Sequence, residues 1–151
     1  MSGDRPMRID TTTTPTEAEL AALREGIVRF NHEAVPELEP ESAETRFVVL
    51  ARDERDEIVG GLRAACFWNT LHVELLWLSP ACRGRGTGTQ LMQAAEEKAR
   101  ALGMGLALVM TTSWQARPFY EKCGYVLMGT VDDMPKGHAS HWLRKRLVAE
   151  A

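Results

Sequence analysis

The 151-residue chain has no hydrophobic run approaching the ~18 consecutive apolar residues of a membrane span. Its opening stretch, MSGDRPMRID, holds no apolar core segment, so no secretory signal is expected. Cysteine is scarce: Cys66, Cys82 and Cys123 are odd in number, widely spaced and match no metal-ligand spacing. The simplest expectation is reduced thiols in a cytoplasmic protein, with neither a disulfide framework nor a metal centre. Positive charge is not in excess either. The net charge of −3 argues against a dedicated nucleic-acid binder. The basic run in WLRKRL closes an apolar pattern and reads as a solvated strand edge. The stretch from Glu33 to Glu57 is mostly acidic.

What remains is ordinary for a globular domain: 44% hydrophobic and 26% charged residues. A chain of this length makes one domain with one core, burying roughly 68–70% of its unfolded surface. MRIDTTT reads as a short first strand. Thr14, Pro15 and Glu17 then form a helix-start signal. Leu20, Leu23, Ile27 and Phe30 follow at helical spacing, which predicts an amphipathic helix over 15–34. Beyond an acidic, proline-broken loop come three strand-like runs, 46–52, 57–68 and 72–79, with links short enough for hairpins. Residues 86–102 read as a helix, with Leu91, Met92, Ala95, Ala99 and Leu102 on one face and Gly103 as its stop. LALVMTTS (106–113) is a continuous apolar run, as for a strand buried on both faces. A short helix in ARPFYEKC and two final strands, YVLMGTV and HASHWLRKRL, complete the chain. The expected order is β-α-β-β-β-α-β-α-β-β, an α+β fold with a mixed, mostly antiparallel sheet of about seven strands flanked by helices.

Between the fourth strand and the following helix lies SPACRGRGTG. Helix-start N–H groups and the positive end of the macrodipole favour an anion. Glycines let a bulky phosphate approach the backbone, and Arg83 and Arg85 add charge and bidentate donors. The local chemistry predicts a main-chain phosphate or pyrophosphate site. It is not a Walker A loop, because no Gly-Lys-Ser/Thr is present. A Rossmann fingerprint from Gly84 would need glycine where Thr89 stands, and LALVM occupies the place of its acidic ribose ligand. What is left is Arg-x-x-Gly-x-Gly, Arg83 to Gly88. Alone, this arises by chance in roughly one chain in ten of this length. It gains force from ELLWLSP before it, the long helix it opens, and ARPFYEKCGY after the next strand.

With these surroundings the chain resembles the GNAT superfamily of acetyl-CoA-dependent N-acetyltransferases. Arg83, Gly86 and Gly88 match the family's Arg/Gln-x-x-Gly-x-Gly/Ala motif; Ala116, Tyr120, Gly124 and Tyr125 match its later Ala-x-x-x-Tyr-x-x-x-Gly-Phe/Tyr element. The family order spans about Met7 to Leu147. VDDMPKGHASHWLRKRL further resembles a subgroup of small bacterial members with Asp-x-Pro-x-Gly-His before the last strand. The resemblance implies acetyl-CoA as co-substrate, no metal, and a small-molecule amine acceptor attacked directly in a ternary complex. It implies that Arg83, Gly84, Arg85, Gly86, Thr87, Gly88 and Thr89 cradle the pyrophosphate. Leu76, Trp77, Leu78, Ser113, Ala116 and Phe119 would contact the rest of the cofactor, the Leu78 N–H holding the acetyl oxygen. Ser113 stands where many relatives have asparagine, and a hydroxyl can still hydrogen-bond the pantetheine arm. Relatives are often homodimers, so a dimer is expected by analogy alone.

The resemblance makes Tyr120 the general acid. A phenol of pKa ~10 passing its proton to a thiolate of pKa ~8.5 goes uphill by about 1.5 units, or ~2 kcal/mol. Packing of the short helix is the competing role for Tyr120. On the fourth strand His72 and Glu74 lie two apart and share a face, so either can serve as base, Glu74 through water with His72 as helper. Glu74 with Asp132 and Asp133 hints at a cationic acceptor. Trp68 and Trp114 sit at strand ends where an acceptor cleft is expected, although large aromatics are more often core. Cys82 reads as a small half-buried thiol, and His138 and His141 as structural residues. Two other readings stay open: a CoA-binding sensor without turnover, and an acetyltransferase acting on a protein N-terminus or lysine. No membrane or nucleic-acid partner is expected.

Overall fold

The computed structural model describes residue 3 and residues 5–148, which fall into two compact units, one up to Glu39 and one from Pro40 onward. The first unit contains helix α1, Glu17–Ala34. Two overlapping Thr-x-x-Glu boxes compete for its start, and the later one wins. Thr16, not Thr14, caps the helix. Its hydroxyl accepts from the Glu19 N–H at 3.1 Å, and the Glu19 carboxylate accepts from the Thr16 N–H at 2.8 Å. This register puts both Glu17 and Glu19 in the first turn, where the macrodipole favours them. The strand expected at 7–13 does not form. Only Met7 and Ile9 alternate there, both remain about nine-tenths exposed, and Thr12 bonds the Thr14 N–H locally instead.

The second unit is a six-stranded sheet with two helices. Its strands are β1 (Thr45–Arg52), β2 (Ile58–Phe67), β3 (Thr70–Leu78), β4 (Leu106–Thr112), β5 (Val126–Asp132) and β6 (Ala139–Arg146), in spatial order β1-β2-β3-β4-β6-β5. Helix α2 (Thr87–Ala101) links β3 to β4, and short α3 (Arg117–Lys122) links β4 to β5. Only β3 and β4 pair in parallel, as a helical crossover requires; the other neighbours are antiparallel. The class is α+β, with six strands where about seven were expected.

Period-2 burial decides which face holds the core. Phe47, Val49, Leu62, Ala64, Leu71, Val73, Ala107, Val109 and Leu143 point to one side of the sheet. Against them α2 lays Leu91, Met92, Ala95 and Ala99, the stripe its spacing predicts, and α3 adds Tyr120. Each large side chain so buried contributes roughly 1.5–3 kcal/mol. On β4 the core face of Ala107, Val109 and Thr111 is fully buried, whereas on the other face Leu106 and Leu108 are half-buried and Met110 is exposed. The continuous apolar run here means full burial on one side and partial burial on the other. Among the described residues no helix is long and apolar enough to cross a membrane, and no three His, Cys, Asp or Glu cluster as metal ligands.

One charged group lies inside this core. Glu96 of α2 accepts from Lys145 of β6 at 2.6 Å and from the Tyr125 hydroxyl at 3.0 Å, with Arg100 at 3.8 Å. The cluster ties α2 to β6 and to the start of β5. A buried carboxylate stripped of its ammonium costs far more than the intact pair contributes. Lys145→Met should therefore lower unfolding free energy by about 3–5 kcal/mol in urea denaturation. Adding Glu96→Gln should restore part of the loss.

Candidate active site

β3 is where the sheet comes apart. Arg63 pairs with Leu75 and Ala64 with Val73, so Glu74 is an extra residue with no partner on β2, a β-bulge. Parallel pairing to β4 ends at Val73–Val109, although β3 runs on to Leu78 and β4 to Thr112. From the bulge onward the two strands diverge. The Ser79 N–H donates to the Val59 carbonyl on the β2 side at 2.8 Å. By alternation the N–H groups of Leu78 and Leu76 point the other way, into the opening.

At the end of the same strand, a turn through Pro80–Cys82 leads into the glycine-arginine loop. Gly86 is the N-cap of α2 in the left-handed region (φ 77°), with no side chain capping the helix and no acidic residue in its first turn. The first-turn N–H groups are thus left to an outside acceptor. The glycines differ in role. A Cβ on Gly86 meets open space, so its constraint is conformational. A Cβ on Gly88 would lie 3.1 Å from the Phe119 ring and 3.3 Å from Leu78, so its constraint is close packing of α2 on α3 and β3.

The splay, the loop and α3 enclose a cavity of about 570 Å³. Of the residues singled out from sequence, it brings together Leu76, Trp77, Leu78, Arg83, Ala116, Phe119 and Tyr120, with Trp114 at its side. Thr111 and Gln115 also line it. Neither belonged to a legible motif, and only the fold carries them here: Gln115 Oε1 accepts from the Thr111 hydroxyl and the Thr112 N–H, both at 3.3 Å. Tyr120 is 6% exposed and packs edge-on against Phe119 and Tyr125. Burial, and then the nearby Cys123 thiol, push its phenol up to about 12. Its proton is held more tightly than the free phenol value suggests.

Arg85 and Cys82 turn the other way. With Thr87 they line a separate groove of about 760 Å³ against the β1–β2 hairpin. His72 and Glu74 do not line the smaller cavity. His72 stacks on Phe67 at 4.2 Å, its Nε2 is buried without a partner among the described residues, and burial lowers its pKa. Both oxygens of Glu74 are taken: Oε1 by Arg46 at 3.0 Å and Oε2 by Arg63 at 2.8 Å. Neither arginine was singled out from sequence, since they lie 28 and 11 residues away and only strand register joins them to Glu74.

Other positions fall elsewhere than expected. Trp68 sits in the β2–β3 turn at positive φ, at the opposite end of β3 from the splay, so it is remote from the cleft. The Ser113 hydroxyl accepts from the Ala139 N–H at 3.2 Å, and its own N–H donates to the Ala139 carbonyl, binding the end of β4 to β6. Asp133 is at positive φ, and its carboxylate accepts from the Gly137 N–H, closing the last hairpin. Asp132 pairs with Ala139 beside it. His138 packs edge-on against Trp114, and His141 bonds the Thr130 hydroxyl, structural roles for both.

The acetyltransferase (GNAT) family pattern matches residues 15–125. Blasticidin-S acetyltransferase of Streptomyces morookaense is 40% identical over 102 residues, covering 67% of this chain and 75% of that protein. An acetyltransferase of Agrobacterium fabrum is 30% identical over 125 residues, covering 83% of this chain and 88% of the relative. The crystal structure of an acetyltransferase from Bacillus cereus superposes with a TM-score of 0.78 at 28% identity, over 91% of this chain and 97% of that one. The chain belongs to the acetyltransferase (GNAT) family, and it is an N-acetyltransferase.

The two glycine roles predict different responses. Gly86→Ala should cost about 1–2 kcal/mol by left-handed strain alone. Gly88→Val should cost about 1–3 kcal/mol by overpacking and should also displace the Phe119 ring. Urea midpoints measure both costs, and the aromatic proton shifts of Phe119 should move only in the second variant.

Proposed function

We propose that this N-acetyltransferase carries the acetyl group of acetyl-CoA to a primary amine of a small molecule, by direct attack in a ternary complex. One observation carries the reading: the unpaired end of β3, Arg83 of the loop that leads into α2, and Tyr120 all line the same cavity. The donor set suits a pyrophosphate thioester. Bare first-turn N–H groups and Arg83 offer donors and charge without a competing carboxylate in that turn. When bound, acetyl-CoA supplies an activated acyl carbon and a thiol leaving group. The Leu76 and Leu78 N–H groups face the opening and can hold the thioester oxygen as negative charge develops. Ser113, tied to β6, has less to offer the pantetheine arm than its position in the family suggests.

In the transfer, the amine nitrogen bonds to the acyl carbon, the C–S bond breaks, and the departing sulfur takes the Tyr120 proton. With the phenol at about 12, that proton lies roughly 3.5 units above a free thiol, or ~5 kcal/mol uphill. The gap is well within an enzymatic barrier. Neither His72, whose pKa is lowered by burial, nor Glu74 lines the cavity, so either would take the ammonium proton only through water. No cysteine lines the cavity, which supports direct attack over an acetyl-cysteine route. Because both Glu74 oxygens are paired with arginines, its charge is not free to draw a cationic acceptor.

Thiol release from acetyl-CoA, with blasticidin S as the first acceptor and an amine panel after it, tests the reading. Tyr120→Phe should bind acetyl-CoA normally while kcat falls by about 10²–10⁴. Equal rates in both proteins would remove Tyr120 from the mechanism. The pH profile gives a second check. A raised pKa keeps the acid protonated until pH climbs through about 12. Tyr120 should therefore impose no alkaline limb on kcat between about pH 6 and 10, and the Phe variant should be depressed evenly across that range.

A further inference from the structure

We propose that Arg63 recognises a carboxylate on the acceptor, so that the amine acetylated here belongs to a molecule that also carries an acidic group. The inference rests on the transferase reading above and names its substrate class. Its basis is how four charges are spent. Glu44 and Glu74 both accept from Arg46, through Nη2 at 3.2 Å and Nη1 at 3.0 Å, and Glu74 accepts from Arg63 through Nε at 2.8 Å. Arg63 ends this chain. It gives one N–H to Glu74 and keeps both Nη groups without a partner among the described residues, on a side chain 57% exposed. A planar guanidinium with a free edge is suited to a carboxylate in two-point contact.

Strand register places that edge on the approach to the cleft. Arg63 is directly opposite Leu75, so the two share a face of the sheet, and Trp77, two residues on, shares it too. This is the face away from the buried Leu62 and Ala64. Leu75 is 46% exposed and Trp77 50%, and Trp77 also lines the cavity that holds Tyr120. Outward from the cavity the surface thus runs from indole to leucine to guanidinium, a step of roughly 7 Å along the strand. An acceptor lying on it has its amine at the splay, an apolar or aromatic body on Trp77 and Leu75, and its anion at Arg63. Stability alone gives little reason for the arrangement, because an exposed ion pair contributes only about 0–1 kcal/mol.

Matched probes test it: 4-(aminomethyl)benzoate, its methyl ester, and a series of neutral and cationic amines, each assayed with wild type, Arg63→Met and Arg63→Lys. Acetyl-CoA affinity is measured calorimetrically in every variant, as a control on folding and on the cofactor site. For wild type, kcat/KM should favour the acid over the ester by about tenfold or more, the discrimination of one charge-assisted contact. Arg63→Met should bring the ratio near one by raising KM for the acid alone, with acetyl-CoA affinity unchanged, and Arg63→Lys should recover part of it. A ratio unaffected by Arg63→Met overturns the inference. So does acetylation of neutral or cationic amines with no turnover of the acid, an outcome that leaves the transferase intact. Failure to bind acetyl-CoA at all would instead overturn the transferase reading and the inference with it.

Discussion

A single extra residue in β3 governs this molecule. If Glu74 had a partner on β2, β3 and β4 could continue in parallel register to their ends, and the sheet would close. The bulge turns the strand, pairing with β4 stops one residue earlier at Val73, and the N–H groups of Leu76 and Leu78 lose their natural acceptors. Unpaired backbone polar groups are costly when buried, so such an opening persists only where water or a ligand can satisfy them. The displaced side chain of Glu74 lies between Arg46 of β1 and Arg63 of β2, which bond its two oxygens.

The other wall of the cleft depends on a different kind of constraint. Gly88 is small because Phe119 and Leu78 crowd it, and that crowding sets the short helix carrying Tyr120 against the first turn of α2. On the reading proposed above, phosphate loop and proton donor are therefore not independent, because they share this contact. The setting has a chemical cost. Burial that fixes Tyr120 also raises its pKa, making it a weaker acid. The geometry favours placement over acidity.

Much of this was legible in the chain itself. The helix of residues 87–101 announces itself through Leu91, Met92, Ala95 and Ala99, and its C-terminal stop through Gly103 at positive φ. Arg83 through Gly88 could be read as an anion loop from glycine content and position alone, because both reasons are local. Local signals also misled. Thr14 and Thr16 each begin a plausible capping box, and nothing within six residues tells which is used. MRIDTTT has the alternation of a strand but only two apolar residues to bury. Trp68 was placed at a strand end correctly, but which end of β3 faces the cleft follows from where pairing with β4 stops, a long-range fact.

The same distinction explains why the acceptor side was the hardest to read. In the sequence Glu74 stands alone in HVELLW and looks like a free anion. In the fold it is the middle of a four-member chain, Glu44–Arg46–Glu74–Arg63, whose formal charges cancel. Its electrostatic meaning is set by partners 28 and 11 residues upstream, and these reach it only because β1, β2 and β3 pair in one register. A one-residue slip would turn Arg63 toward Leu62's side of the sheet, leave Glu74 unpaired and restore the picture of an acid waiting for a cation. Composition can say how much charge a chain carries. Which of those charges remains available to a substrate is decided by strand register, and here the unspent donors belong to an arginine.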